Sequence, residues 1–251
     1  MRQVTVLSLG VLFLLGSVCP MAAPGPLKVC MVSGSDEYKS EISLPKFQKY
    51  LEANYNVQCT IAQARGTNDL PGLEALGDCD VALFFTRRLT ITGEQLERIK
   101  KYCESGGPIV AMRTASHGFQ NWLEFDKLVL GGNYQKHFGT GTTLTVTIAS
   151  DAKDHPVLEG VSPFESKYSL YRNAPIGTDC QILMMGSTEK SGGLQPVTWT
   201  RLYKGARVFY TSLGGPDDFE NPSFRRMIVN ALFWTAKRPV EERKKPSSLK
   251  E

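Results

Sequence analysis

Nine side chains able to bind a ligand or move a proton stand beyond short apolar runs or a Gly-Gly break. Asp36 and Glu37 follow the run 27–32, Arg87 and Arg88 follow 81–85, and Arg113, Ser116 and His117 follow 109–112; Tyr134 and His137 come after Gly131-Gly132. Guanidinium forks, hydroxyls, a carboxylate pair and aromatic rings suit a ligand rich in oxygens, such as a sugar or sugar acid. Within that set His137 can act as acid or base and Arg113 can stabilise a developing oxyanion. The residues after Met112 occupy the place where a hydrolase would hold a nucleophile on a sharp strand-to-helix turn, yet they read Arg-Thr-Ala-Ser-His, with no G-x-S-x-G and no cysteine.

Each assignment has a plainer rival. Arg113 can pair with Asp36 or Glu37 as a structural ion pair. Arg87 and Arg88, if extended, point to opposite sides, so at most one of them faces the cleft. His117 can serve Ser116 or Thr114 as a base, but adjacent residues rarely reach that geometry, and a capping role competes. His155, before Pro156, reads as a turn element. Trp199 reads as hairpin core, with a sugar-stacking platform as the alternative.

These residues need a frame to bring them together. Runs at 27–32, 57–62, 81–85 and 109–112 alternate with amphipathic segments at 44–53 and 93–104. That order predicts one α/β domain with a doubly wound, mainly parallel sheet flanked by helices. Further strands are expected at 142–148, 166–172 and 181–185, then a hairpin of 197–203 and 207–213 turning at Lys204-Gly205-Ala206. A final helix spans 222–236, with Asn221 as its N-cap. In an open α/β sheet the ligand sits beyond the carboxyl ends of the strands, where four loops carry all nine residues. Arg113, His137 and at least one of Asp36 and Glu37 are therefore expected to face a common cleft.

The chain has 251 residues, 41% hydrophobic content and a formal net charge of +4, enough for one sizeable core. Part of that charge lies in a tail, 240–251, expected to be disordered. No basic stripe interleaved with aromatics points to nucleic acid. Residues 1–23 read as a signal peptide cleaved after Ala23; Cys19 is a lipoprotein alternative. No later segment is long and apolar enough to span a membrane, so the mature protein is expected to be exported, periplasmic or secreted. Five cysteines remain after cleavage. Cys79 and Cys103 fall at the same end of the fold, either bridged or as two core thiols. Three scattered histidines without H-x-H spacing, and no phosphate-loop or dinucleotide motif, give no metal and no cofactor.

Five blocks, IVAMRTASHGFQNW, LVLGGNYQKHFG, DHPVLEGVSPF, PVTWTRLYKGARVFYTSLGG and NPSFRRMIVNALFWTAKRP, together resemble the ThuA-like (trehalose utilisation) family between about residues 27 and 239. The resemblance implies a class I glutamine amidotransferase-like, flavodoxin-like fold over 24–239 and a role around carbohydrates, often in exported proteins of saprophytic bacteria. Four departures accompany it. Family members usually have a histidine at Arg113, an Asp-Glu pair at Tyr168 and Ser169, and Gly-His at Gly214-Gly215; the histidine of the G-G-x-x-x-x-H block is kept as His137. Without those acid–base groups, the favoured reading is an exported carbohydrate-associated protein that binds a small polar or anionic sugar without turnover. The rival is a carbohydrate-active enzyme using His137 and Arg113.

Overall fold

The computed structural model describes residues 25–243. The expected signal peptide, residues 1–23 with Cys19, and the tail from Lys244 onward lie outside the described residues. Eleven strands and three α-helices are present among the described residues. β1 (Leu27–Gly34) leads into α1 (Ser40–Asn54), followed by β2 (Val57–Gln63) and β3 (Val81–Thr86). Next come α2 (Gly93–Glu104), β4 (Ile109–Met112), β5 (Lys136–His137), β6 (Leu144–Ile148), β7 (Phe164–Ser166) and β8 (Tyr171–Arg172). β9 (Gln181–Ser187), β10 (Gln195–Tyr203), β11 (Ala206–Thr211) and α3 (Pro222–Thr235) complete the fold.

Nine strands form one sheet in the order β2-β1-β3-β4-β11-β10-β9-β6-β7. The run from β2 to β11 is parallel, and β10, β9, β6 and β7 extend it antiparallel. β1, β3 and β4 are buried almost without interruption, as strands covered on both faces must be. One face packs against α1 and α3, with Phe47, Phe219, Phe224 and Phe233 in its core. The other carries α2, whose Leu96, Ile99, Tyr102 and Cys103 recur at helical spacing, and a knot of Phe84, Phe119, Trp122 and Phe125.

Local chemistry sets the ends of these elements. Asn221 Oδ1 accepts from Ser223 N–H at 2.9 Å and Phe224 N–H at 3.3 Å, and Pro222 opens α3 without needing a donor. Lys204 and Gly205, with φ of 50° and 80°, form the two-residue turn of the β10–β11 hairpin. At the β2 edge, α1 reaches across the strand. Cys59 N–H donates to Glu52 Oε1 at 2.9 Å, Gln48 Nε2 donates to Cys59 O at 3.2 Å, and the same amide bonds Glu52 Oε1 at 3.1 Å.

Two expectations are corrected, for residues 166–172 and for the tail, and two open alternatives, at the cysteines and at Trp199, are closed. Residues 166–172 do not make one strand: β7 joins the main sheet, while β8 pairs with β5 in a separate ribbon. Tyr168 and Ser169, between them, turn inward, which breaks the extended run. The tail is not free from residue 240: Asn56 N–H donates to Glu241 O and Arg243 N–H to Asn54 O, both at 2.8 Å. All five cysteines among the described residues are free thiols. Cys79 Sγ lies 3.9 Å from Tyr102 Oη rather than bonded to Cys103. Trp199 is wholly buried and donates from Nε1 to Leu130 O at 2.7 Å, so it is core and offers no stacking platform.

Candidate functional site at the carboxyl edge of the sheet

β1 lies between β2 and β3, so the connections leaving β1 and β3 diverge beyond their carboxyl ends, the place where open α/β sheets hold ligands. Glu37, in the turn after β1, reaches Arg87, after β3, with Nε and Oε2 2.5 Å apart. Asp36 sits exposed on the same turn. Beneath them the strand ends are lined with hydroxyls: Ser33 Oγ bonds Ser40 Oγ at 3.0 Å, and Ser35 Oγ bonds Thr114 Oγ1 at 2.8 Å.

Arg113 is where expectation and structure part. It follows β4 in left-handed backbone, φ 51°, and its side chain is 0% exposed. Nη1 donates to Ser169 O at 3.0 Å and Ser212 O at 2.6 Å, and Nη2 to Tyr38 Oη at 2.9 Å and Ser169 Oγ at 3.1 Å. The rings of Tyr38 and Tyr171 each lie 4.5 Å from its central carbon. Burial alone would favour loss of the charge, but the hydroxyls of Tyr171 and Tyr38, and Asp218, outweigh it and hold the proton more tightly than usual. The guanidinium is enclosed beneath this edge instead of lining it. It makes no ion pair with Asp36 or Glu37, and it presents no face to a substrate.

The open part of the edge is built from His117 and Tyr134. Their rings stack at 4.3 Å, and Tyr171 tilts against Tyr134 at 4.6 Å. Ser116 Oγ stands 3.2 Å from His117 Nδ1, a spacing that neighbouring residues seldom reach. Burial, then the charges of Arg88, Arg87 and Arg113, push the His117 pKa down to about 3. The ring is thus neutral across the physiological range, and it is a weak proton acceptor for Ser116. Arg88 is exposed in left-handed backbone, φ 47°, and its N–H donates to His117 O at 2.9 Å.

His137 pairs across the ribbon with Tyr171, so it stands one cross-strand position from the arginine cluster. It is exposed, and its Nδ1 accepts Gly139 N–H at 3.1 Å. His155 caps its own turn through Val157 N–H, as expected.

Asp126 went unnoticed in the sequence. It lies in a single π-helical turn, Phe125–Leu130, is 5% exposed, and accepts Tyr134 N–H on Oδ2 at 2.7 Å. Its Oδ1 has no partner and presses against Gly132, where no Cβ would fit. Burial raises its pKa to about 6, against the Tyr134 N–H and Lys127. An acid set in the apolar run FDKLVL before Gly-Gly was the available signal. Among the described residues no three His, Cys, Asp or Glu side chains gather as a metal site.

The four positions that depart from the family pattern meet in space. Arg113 bonds Ser169 twice and faces the Tyr168 ring at 5.9 Å, and Tyr168 fills the space into which a side chain at Gly215 would project.

The ThuA family profile, described as trehalose utilisation, matches residues 28–235. No curated protein matches the chain. Among solved structures, a ThuA-like protein of Parabacteroides merdae aligns with a TM-score of 0.68 and 17% identity, over 88% of this chain and 94% of its own. One from Bacteroides uniformis gives 0.66 and 20%, over 88% and 95%. A β-galactosidase of Rahnella sp. R3 gives 0.58 and 13%, over 86% of this chain but 32% of its own, so the fold recurs inside larger chains.

Proposed function

The chain belongs to the ThuA family, a carbohydrate-associated family, and from that premise we propose that it is an exported protein that binds a polar or anionic sugar at the carboxyl edge of its sheet without turning it over. The observation carrying this is the enclosure of Arg113. With both terminal nitrogens committed to carbonyls and hydroxyls inside the fold, and the side chain fully buried, it cannot stabilise charge on a substrate. Asp218 is equally committed, to the amides of Gly214 and Gly215 and to Ser166. The remaining edge, with Tyr134, His117, Ser116, Asp36, Glu37, Arg87 and Arg88, offers an aromatic stack and polar forks, which bind sugars, but no activated nucleophile.

Calorimetric titration with a panel of mono- and disaccharides, neutral and acidic, is expected to find a ligand whose binding is lost in Tyr134→Ala. No binding across the panel, or binding indifferent to Tyr134→Ala, defeats the reading. The enzyme reading retains His137, which is exposed and uses Nδ1 to accept the Gly139 N–H. Turnover of the bound sugar, abolished by His137→Ala in a folded protein, would establish it. Export is checked by the N-terminal sequence of protein from the exported fraction, which is expected to begin at Pro24.

A further inference from the structure

We infer that Arg88 is the specificity-determining residue of this edge and that the sugar it selects carries an oxyanion, a carboxylate or a sulfate; the inference rests on the sugar-binding reading above. The backbone gives the first reason. Arg88 holds φ at 47°, a conformation that costs a side-chain-bearing residue about 1 kcal/mol and glycine almost nothing. The strained turn is fastened rather than loose, since Arg88 N–H donates to His117 O at 2.9 Å and Leu89 N–H to Gly118 O at 2.7 Å. A rigid left-handed turn that takes an arginine where glycine would rest unstrained points to a use for the side chain.

The second reason is availability. Of the three arginines at this edge, Arg113 is enclosed and Arg87 is paired with Glu37. Arg88 is exposed, and its guanidinium has no hydrogen-bond or ion-pair partner among the described residues. Its charge reaches the site, for it is the leading charge acting on both His117 and Tyr134. Arg87 is answered by Glu37 and Arg113 faces Asp218, which leaves Arg88 as the exposed arginine of this edge without an ion-pair partner among the described residues. A planar fork beside a neutral aromatic stack matches a bidentate oxyanion on a ring whose carbon skeleton lies against Tyr134.

The test compares glucose, glucuronic acid and glucose 6-sulfate by calorimetry on the parent protein, Arg88→Gly, Arg88→Lys and Tyr134→Ala. One or both charged sugars are expected to bind at least tenfold more tightly than glucose, and whichever leads identifies the anion. Arg88→Gly is expected to erase that preference, so that the charged sugars bind the variant no more tightly than glucose does, with the thermal midpoint unchanged or raised. Arg88→Lys should recover part of the preference at low salt. Equal binding of all three sugars, still lost in Tyr134→Ala, overturns the inference and leaves the sugar-binding reading standing. A midpoint lowered by several degrees in both Arg88 variants also overturns it, by making the arginine structural. No binding of any sugar overturns both.

Discussion

Arg88 and Arg113 begin alike and end as opposites. Each follows a parallel strand at the same edge of the sheet, and each carries positive φ, 47° and 51°. One points into solvent without a partner; the other is sealed among three tyrosines and two backbone carbonyls. A single strained backbone state thus serves two ends. At Arg113 it aims the chain inward, so that one side chain ties the loops after β1, β4 and β11 to the segment before β8. At Arg88 it aims outward and leaves the charge free. The difference shows that left-handed strain marks a site without saying whether the residue builds it or uses it.

The comparison breaks first at Arg113. Arg113→Ala strands Ser169 O, Ser212 O and Tyr38 Oη in the interior and is expected to cost about 3 to 5 kcal/mol by denaturant unfolding. A loss under about 1 kcal/mol would show that the enclosed guanidinium holds nothing together.

Asp126 and His117 come next, with opposite signs. Folded Asp126 keeps its proton to about pH 6 rather than 3.8, so the folded state binds more protons between those values, and stability falls as pH rises through them. Folded His117 gives up its proton near pH 3 rather than 6.5, so stability rises with pH across that span. In the parent the two slopes oppose each other. Asp126→Asn is expected to be more stable than the parent at pH 7 by up to about 3 kcal/mol and to lose stability more steeply on acidification. His117→Gln should lose stability as pH rises from 4 to 6. Parallel profiles for parent and variants would discard both assignments, and a His117 ring resonance that titrates above pH 5 would discard the second alone.

Smaller still is Arg88→Gly, expected to change stability by less than about 1 kcal/mol, in the favourable direction if strain relief exceeds the added freedom of the unfolded chain. The smallest effect is a count. Thiol titration of denatured, unreduced protein lacking residues 1–23 is expected to give five cysteines, whereas three would restore a bridge.

Much of this was legible in the sequence because periodicity reports burial. The limits of α2 and β4, the hairpin turn and the Asn221 cap follow from local pattern alone, and parallel topology then brings the loops of β1, β3 and β4 to one edge. The direction of an arginine leaving a buried strand is not a local property. Arg113 turns inward because Tyr38, Tyr168 and Tyr171 arrive from distant segments to receive it, and residues 167–170 fail as a strand for the same reason. Asp126 was hidden because a single acid within an apolar helix face reads as a solvated position until the π-helical turn folds it under Gly132.

The clasp that Gln48 and Glu52 place on Cys59 bears on how copies of this chain can meet. A sheet grows into a fibril only when each molecule offers a template at both ends, one to receive a strand and one to donate. With the Cys59 N–H and C=O at the middle of β2 answered by its own helix, an incoming strand finds those two positions of the edge already taken. Removing the two side chains together would bare those two groups to a neighbouring strand, so the protection of this edge is written into the first helix rather than into the strand it covers.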